Sequence, residues 1–296
     1  LTGLQTPDRA YVVCSTQRSG STYLCSLLAG TGVAGNPQEF FEAMAETGVP
    51  PRPGFFLAGL ARSGAGVRDD ARPADAPAYS DLRTVDGWRA HLERTYTLGT
   101  TDNGVFSTKL MWNQLPEMEW YAAALPELAG LEGVELLEAL FGRPSYVWVR
   151  RRDKVRQAIS LWRALQTGAW RREHPPSEPP PRWAAAPTIE RPTSDAGASP
   201  PHYSFEAIEH LRRRLDADDR AWAGFFSGSG IHPLELHYED DVEPQPGAAV
   251  IRVLEHVGVE PPAQWEASTS LLRQSDELND VWRAAYDRDA AAIPTA

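Results

Sequence analysis

The chain has 296 residues, is 42% hydrophobic and 23% charged, and carries a formal net charge of −11, so it has the apolar content for a real core in one large domain or two small ones. That acidic balance argues against nucleic acid or an anionic membrane surface as a partner, and an anionic ligand would need a local basic cluster. No apolar run reaches the length of a membrane span, no signal peptide opens the chain, and Cys14 and Cys25 stand in no metal or redox spacing, which reads as a soluble cytoplasmic protein with buried, reduced thiols.

Tyr11-Val12-Val13-Cys14 reads as a buried strand and Tyr23 to Leu28 as a packed helix, with Gly30 and Gly32 as stops. Between them lies a short polar loop, Ser15 to Thr22. A strand, a tight loop and a helix N-terminus make an anion cradle, because the first turn of a helix has unpaired N–H groups and a partial positive charge. The loop is not a Walker A motif: Ser15 stands where the first Gly belongs, Ser21 where the Lys belongs, and the cation is Arg18. The alternative is an ordinary βα turn with polar surface residues.

Asn36-Pro37 predicts a turn, with Gln38 and Glu39 just past it. Glu39 reads either as a general base or as an acid complementing a helix N-terminus. Gly48 to Pro77 has no sustained period and reads as a long loop or irregular insertion, and Leu82 to Thr97 as a helix. Gly104 to Trp112 is a second strand with Lys109 near its C-terminal end, where ligands gather in open α/β sheets; a snorkelling surface lysine is the other reading.

Leu115 to Phe141 is largely helical, broken at Pro126 and around Gly130 and Gly133. Tyr146 to Val149 is a third strand running into Arg150-Arg151-Arg152. A helix capped by Asp153 follows, with Val155, Ala158, Ile159, Trp162 and Leu165 on one face and Arg156, Ser160, Arg163 and Thr167 on another. The arginines and Ser160 form either a second anion site or a solvated charge run. His174 to Pro201 is Pro-rich and reads as a linker, lid or insertion. Tyr203 to Phe226 is a long amphipathic helix, Pro233 to Tyr238 a last strand and Ala248 to Val257 a helix, and Leu271 to Tyr286 closes the ordered chain with a further basic residue, Arg273, before a polar turn. Strand–helix units separated by longer insertions predict an α/β fold with a mainly parallel sheet flanked by helices.

Taken together these residues resemble the sulfotransferase superfamily, and most closely the bacterial trehalose 2-sulfotransferase family. Gln17-Arg18-Ser19-Gly20-Ser21-Thr22 resembles that family's 5′-phosphosulfate loop, and Arg152 with Ser160 the pair that holds the 3′-phosphate of the donor. Pro37 to Glu42 is similar to the segment whose glutamate, here Glu39, is the general base. Lys109 to Gln114, the helix from Gln157 to Trp170, Arg273 to Asp276 and Tyr238-Glu239-Asp240 are also similar to family segments.

The resemblance implies a P-loop-like single domain over 1–296 and a donor, 3′-phosphoadenosine 5′-phosphosulfate (PAPS), released as 3′-phosphoadenosine 5′-phosphate (PAP). It implies no metal and a small-molecule hydroxyl acceptor, for which trehalose is the best single guess. Glu39, Arg18 and Lys109 would be catalytic. The donor would be bound by Gln17 to Thr22, Arg152, Ser160 and Arg273. A homodimer is implied on the same ground. A nucleotide-dependent kinase, which the absent Walker lysine disfavours, and a non-catalytic nucleotide binder are the alternatives.

Overall fold

The computed structural model describes residues 6–42, 56–57, 84–170, 200–269, 271 and 277–293. Of the sequence-based expectations, the Gly48 to Pro77 insertion (Phe56 and Leu57 aside), the Pro-rich His174 to Pro201 segment (Pro200 and Pro201 aside) and Arg273 lie outside the described residues.

The chain divides into two compact units, one made of Leu1–Pro50, Asp75–Arg152 and Asp218–Thr269, the other of Pro51–Ala74, Asp153–Ala217 and Ser270–Ala296. The first unit holds a four-stranded sheet of β1 (Arg9–Ser15), β2 (Val105–Met111), β3 (Ser145–Arg150) and β4 (Leu234–His237), in the order β2-β1-β3-β4. Every pairing is parallel, in register Val13 with Lys109, Ser15 with Val149, and Arg150 with His237. All four strands overlap the segments read as strands in the sequence, the last of them from its alternation, and their carboxyl ends lie on one side of the sheet, as parallel pairing requires.

The two faces of the sheet follow from the period of two. Val12, Cys14, Phe106, Leu110, Tyr146 and Trp148 face one core, covered by α2 (Val85–Gly99), α3 (Gln114–Ala122), α4 (Gly133–Phe141) and Trp222 and Phe226 of α6 (Phe205–Ser229). Tyr11, Val13, Val105, Val147 and Val149 face the other, covered by α1 (Ser21–Gly30) and α7 (Pro246–Val257). With both faces covered, the strands read as near-continuous apolar runs, which is why they stand out in the sequence. The predicted break in the Leu115 to Phe141 region separates α3 from α4, where Gly130 and Gly133 take positive φ. Both cysteines are buried, and no disulfide joins them.

The second unit has its own core, in which Ala158, Ile159, Trp162 and Leu165 of α5 (Lys154–Thr167) pack with Ile208, Leu211 and Leu215 of α6 and Trp282 and Tyr286 of α8 (Glu277–Ala291). The Asp153 carboxylate caps α5 by accepting from the Arg156 N–H and takes two bonds from Arg283, at 2.7 and 2.6 Å. Arg163 donates to Asn279 at 2.6 Å. Helix α6 enters the second unit at its N-terminal part and the first at its C-terminal part, the division falling between 217 and 218. Among the described residues, no helix is long and apolar enough to cross a membrane.

Candidate active site

The loop after β1 is held from both ends. The Ser15 carbonyl accepts from the Trp222 indole at 3.0 Å and from the Trp112 N–H at 3.3 Å, which fixes where the strand stops. Arg18 is the one non-glycine residue at positive φ among the described residues, at 63°, a backbone position that costs an L-residue about 1–2 kcal/mol. Gly20, at φ 90°, is the N-cap of α1 and brings no capping side chain, and the first turn of α1 carries no acidic residue. The N–H groups there therefore retain their capacity for an anion. Ser19 is fully buried and its Oγ has no hydrogen-bond partner among the described residues. A buried hydroxyl left unpaired costs about 1–3 kcal/mol, and a ligand oxygen above the loop would remove that cost. Gln17 donates to Asn113 at 2.6 Å, tying the loop to the segment after β2.

The carboxylate reaches the loop through a lysine. Gln38 pairs with Thr108 along the outer edge of β2, and its carbonyl accepts from the Lys109 N–H at 2.9 Å. Gly35 makes the approach possible: at φ 68° it sits where a Cβ would come within 2.4 Å of Ser107 Oγ. Glu39 follows directly, at the carboxyl end of the sheet. Lys109, an odd-numbered residue of β2, points to the α1 side. It is 1% exposed, so it is no snorkelling surface lysine. Its Nζ lies 2.6 Å from Glu39 Oε1 and donates to Thr22 Oγ1 at 2.8 Å. One ammonium group thus joins the carboxylate to the first turn of α1.

Gln114 completes this arrangement. Its Nε2 donates to Glu39 Oε2 at 3.1 Å, and its Oε1 accepts from the Met111 N–H at 2.9 Å. The side chain is buried, and the two bonds fix its orientation. Sequence reasoning gave Gln114 no role; a buried glutamine placed directly after a strand that ends at a ligand site was the available signal. Gln114→Leu removes one bond to a charged group and orphans the Met111 N–H. It is expected to lower kcat about ten- to hundredfold with the fold retained, read from steady-state kinetics beside a urea unfolding curve.

The three arginines at the end of β3 do different things. Arg150 pairs with Glu235 at 2.6 Å, lies 3.6 Å from the buried Asp219 carboxylate, and stacks over Trp148. Arg151 donates to the Arg18 carbonyl at 3.2 Å. Arg152 is 59% exposed; it pairs with Asp240 at 2.6 Å, and its N–H donates to Glu239 at 3.0 Å. An ion pair this exposed contributes little, so Asp240 is a weak competitor for an incoming anion. Ser160 is half-buried on α5 in the second unit, whereas Arg152 is the last residue before that unit begins. Among the described residues no cluster of His, Cys, Asp or Glu could hold a metal ion.

A parallel sheet with an anion-ready loop at its carboxyl end, and a carboxylate tied to that loop by a buried lysine, fits a group-transfer enzyme. The chain belongs to the Stf0 sulphotransferase family, whose model matches residues 10–289, and it is therefore a sulfotransferase. It is 35% identical to a trehalose 2-sulfotransferase of Mycobacterium tuberculosis (strain ATCC 35801 / TMC 107 / Erdman) over 292 residues, covering 96% of this chain and 97% of that protein. It is 33% identical to a trehalose 2-sulfotransferase of Mycolicibacterium smegmatis (strain ATCC 700084 / mc(2)155) over 282 residues, 95% of each chain.

Proposed function

We propose that the protein transfers the sulfuryl group of PAPS to a hydroxyl of a carbohydrate, glycolipid or glycosylated natural product, with trehalose as the first acceptor to try. The observation that carries this reading is the Thr22–Lys109–Glu39 contact chain, which sets a carboxylate beside the loop that fits a phosphosulfate. The two relatives, both trehalose 2-sulfotransferases, support the acceptor class. Because the family match runs through both compact units, we treat 1–296 as one sulfotransferase domain.

PAPS supplies the sulfuryl group, with the 5′-phosphate of PAP as the leaving group. The residues fit it: the Ser19 hydroxyl and the N–H groups of Gly20 to Thr22 suit phosphate oxygens. Sulfuryl transfer shares the loose, in-line character of phosphoryl transfer, so negative charge grows on the leaving oxygen. In this reading Arg18, the loop N–H groups and Lys109 neutralise that charge, since donors held in position before the reaction act without reorganisation. Glu39 takes the proton from the acceptor hydroxyl, and Lys109 and Gln114 hold its two oxygens in place. Arg152 receives the 3′-phosphate; the share of Ser160 and Arg273 in donor binding, like the homodimer, rests on the resemblance alone.

The donor half of the reading is tested by thermal shift with PAP. At 100 times its Kd, PAP adds about 2.7 kcal/mol of stability to the folded parent. Arg152→Ala is expected to shrink that shift strongly at the same concentration. No shift in a folded parent contradicts the donor assignment.

A further inference from the structure

We propose that Arg151 and Tyr238 form a brace that positions the Gln17–Thr22 loop, acting through the loop and not on the donor itself. The inference rests on the reading of that loop as the donor cradle.

The geometry begins with strand register. Arg150 pairs with His237 in the parallel β3–β4 ladder, so Arg151 and Tyr238 are the next residues out, side by side at the carboxyl end. On the other flank of β3, Val149 pairs with Ser15, so the loop after β1 emerges beside Arg151. Alternation turns Arg151 to the same side of the sheet as Val147 and Val149, the side that carries α1. Arg151 Nη1 donates to the Arg18 carbonyl at 3.2 Å. It thereby ties down Arg18, the one non-glycine residue at positive φ among the described residues.

Tyr238 supports the other half of the loop. A Cβ built at Gly20 would lie 2.1 Å from Tyr238 Cδ2 and 2.9 Å from its Cγ, so the ring occupies the space that any other residue at 20 would need. The guanidinium of Arg151 stands 5.2 Å from the centre of the same ring, close enough for a cation–π contact. The two braces therefore support each other. Their own anchors lie behind them. Glu239 is 3.5 Å from Arg151 Nε, and the Tyr238 hydroxyl donates to Glu243 at 3.3 Å. Tyr238 also opens a single π-helical turn, Tyr238–Val242, closed by the Glu243 N–H on the Tyr238 carbonyl at 2.8 Å. Such turns are uncommon and are frequent at functional sites.

The test uses the full chain and two readouts. Hydrogen–deuterium exchange of peptides spanning 15–24 is expected to quicken at least tenfold in Arg151→Gln and Tyr238→Ala, with the rest of the sheet unchanged. Tyr238→Phe, which keeps the ring on Gly20 and loses only the 3.3 Å bond to Glu243, is expected to quicken exchange far less than Tyr238→Ala, and it serves as the second variant should Tyr238→Ala fold poorly. In calorimetric titrations, PAP is expected to bind at least tenfold more weakly to each of the two disruptive variants. The double variant is expected to be little worse than the weaker single, because both act on one loop. Unchanged exchange across 15–24 in Arg151→Gln overturns the brace. Additive losses of PAP affinity overturn it too, since they place Arg151 on the ligand independently of Tyr238. A parent that binds no PAP fells the donor reading, while the exchange data still decide the brace.

Discussion

Glu39→Gln is expected to lower kcat by roughly 10²–10⁴-fold at saturating donor and acceptor, while PAP binds within a fewfold of the parent. The amide keeps an oxygen for the Lys109 ammonium, which lies 2.6 Å from one Glu39 oxygen in the parent. What it loses is the capacity to take a proton. A loose transition state asks little of the attacking hydroxyl until late, so the loss lies toward the lower part of this range if proton removal trails bond formation. The check is kcat with PAP affinity measured on the same preparation. A kcat within fivefold of the parent would mean that Glu39 serves only as the counter-charge of Lys109.

Lys109→Met is expected to affect both stability and rate. The Lys109 side chain is 2% exposed and that of Glu39 15% exposed, so removing the ammonium takes the cation from a largely desolvated carboxylate that still accepts from Gln114. Breaking such a pair from one side costs about 3–5 kcal/mol, and the lower end applies because Gln114 and residual solvent still serve the carboxylate. The rate is expected to fall about 10²–10³-fold, the usual cost of one donor aimed at developing charge. The double variant Lys109→Met with Glu39→Gln separates these effects. It should regain much of the lost stability in urea unfolding, because no unpaired charge remains, and none of the lost rate. A double variant as unstable as the single would show that packing, not the ion pair, sets the cost.

The strands were legible because a sheet covered on both faces writes itself as apolar runs, and Tyr11 to Cys14 and Tyr146 to Val149 are two of them. The loop residues were legible as a strand–loop–helix junction. What joins them to Glu39 was not. The bridge of Gln38 to Thr108 spans 70 residues, and no local pattern announces it. Lys109 therefore remained poised between two readings until the register put its side chain on the α1 face. The three arginines looked like one basic cluster because sequence shows charge before direction. Arg150, the last residue of β3, turns toward Asp219, and Arg151, the first beyond it, toward Arg18, while Arg152 pairs with Asp240. Applying period-two alternation past the end of β3 would have separated them in advance. Gln114 went unassigned because its worth lies in two partners, Glu39 and the Met111 N–H, that only the fold brings to it.

The most direct measurement is transfer of sulfur radiolabel from PAPS to trehalose and a panel of other sugars and glycolipids, followed together with PAP release. The contact chain from Thr22 through Lys109 to Glu39 predicts labelled carbohydrate formed in step with PAP, and loss of both in Glu39→Gln. A folded protein that binds PAP yet labels no hydroxyl acceptor, or one whose Glu39→Gln variant labels as fast as the parent, would contradict it.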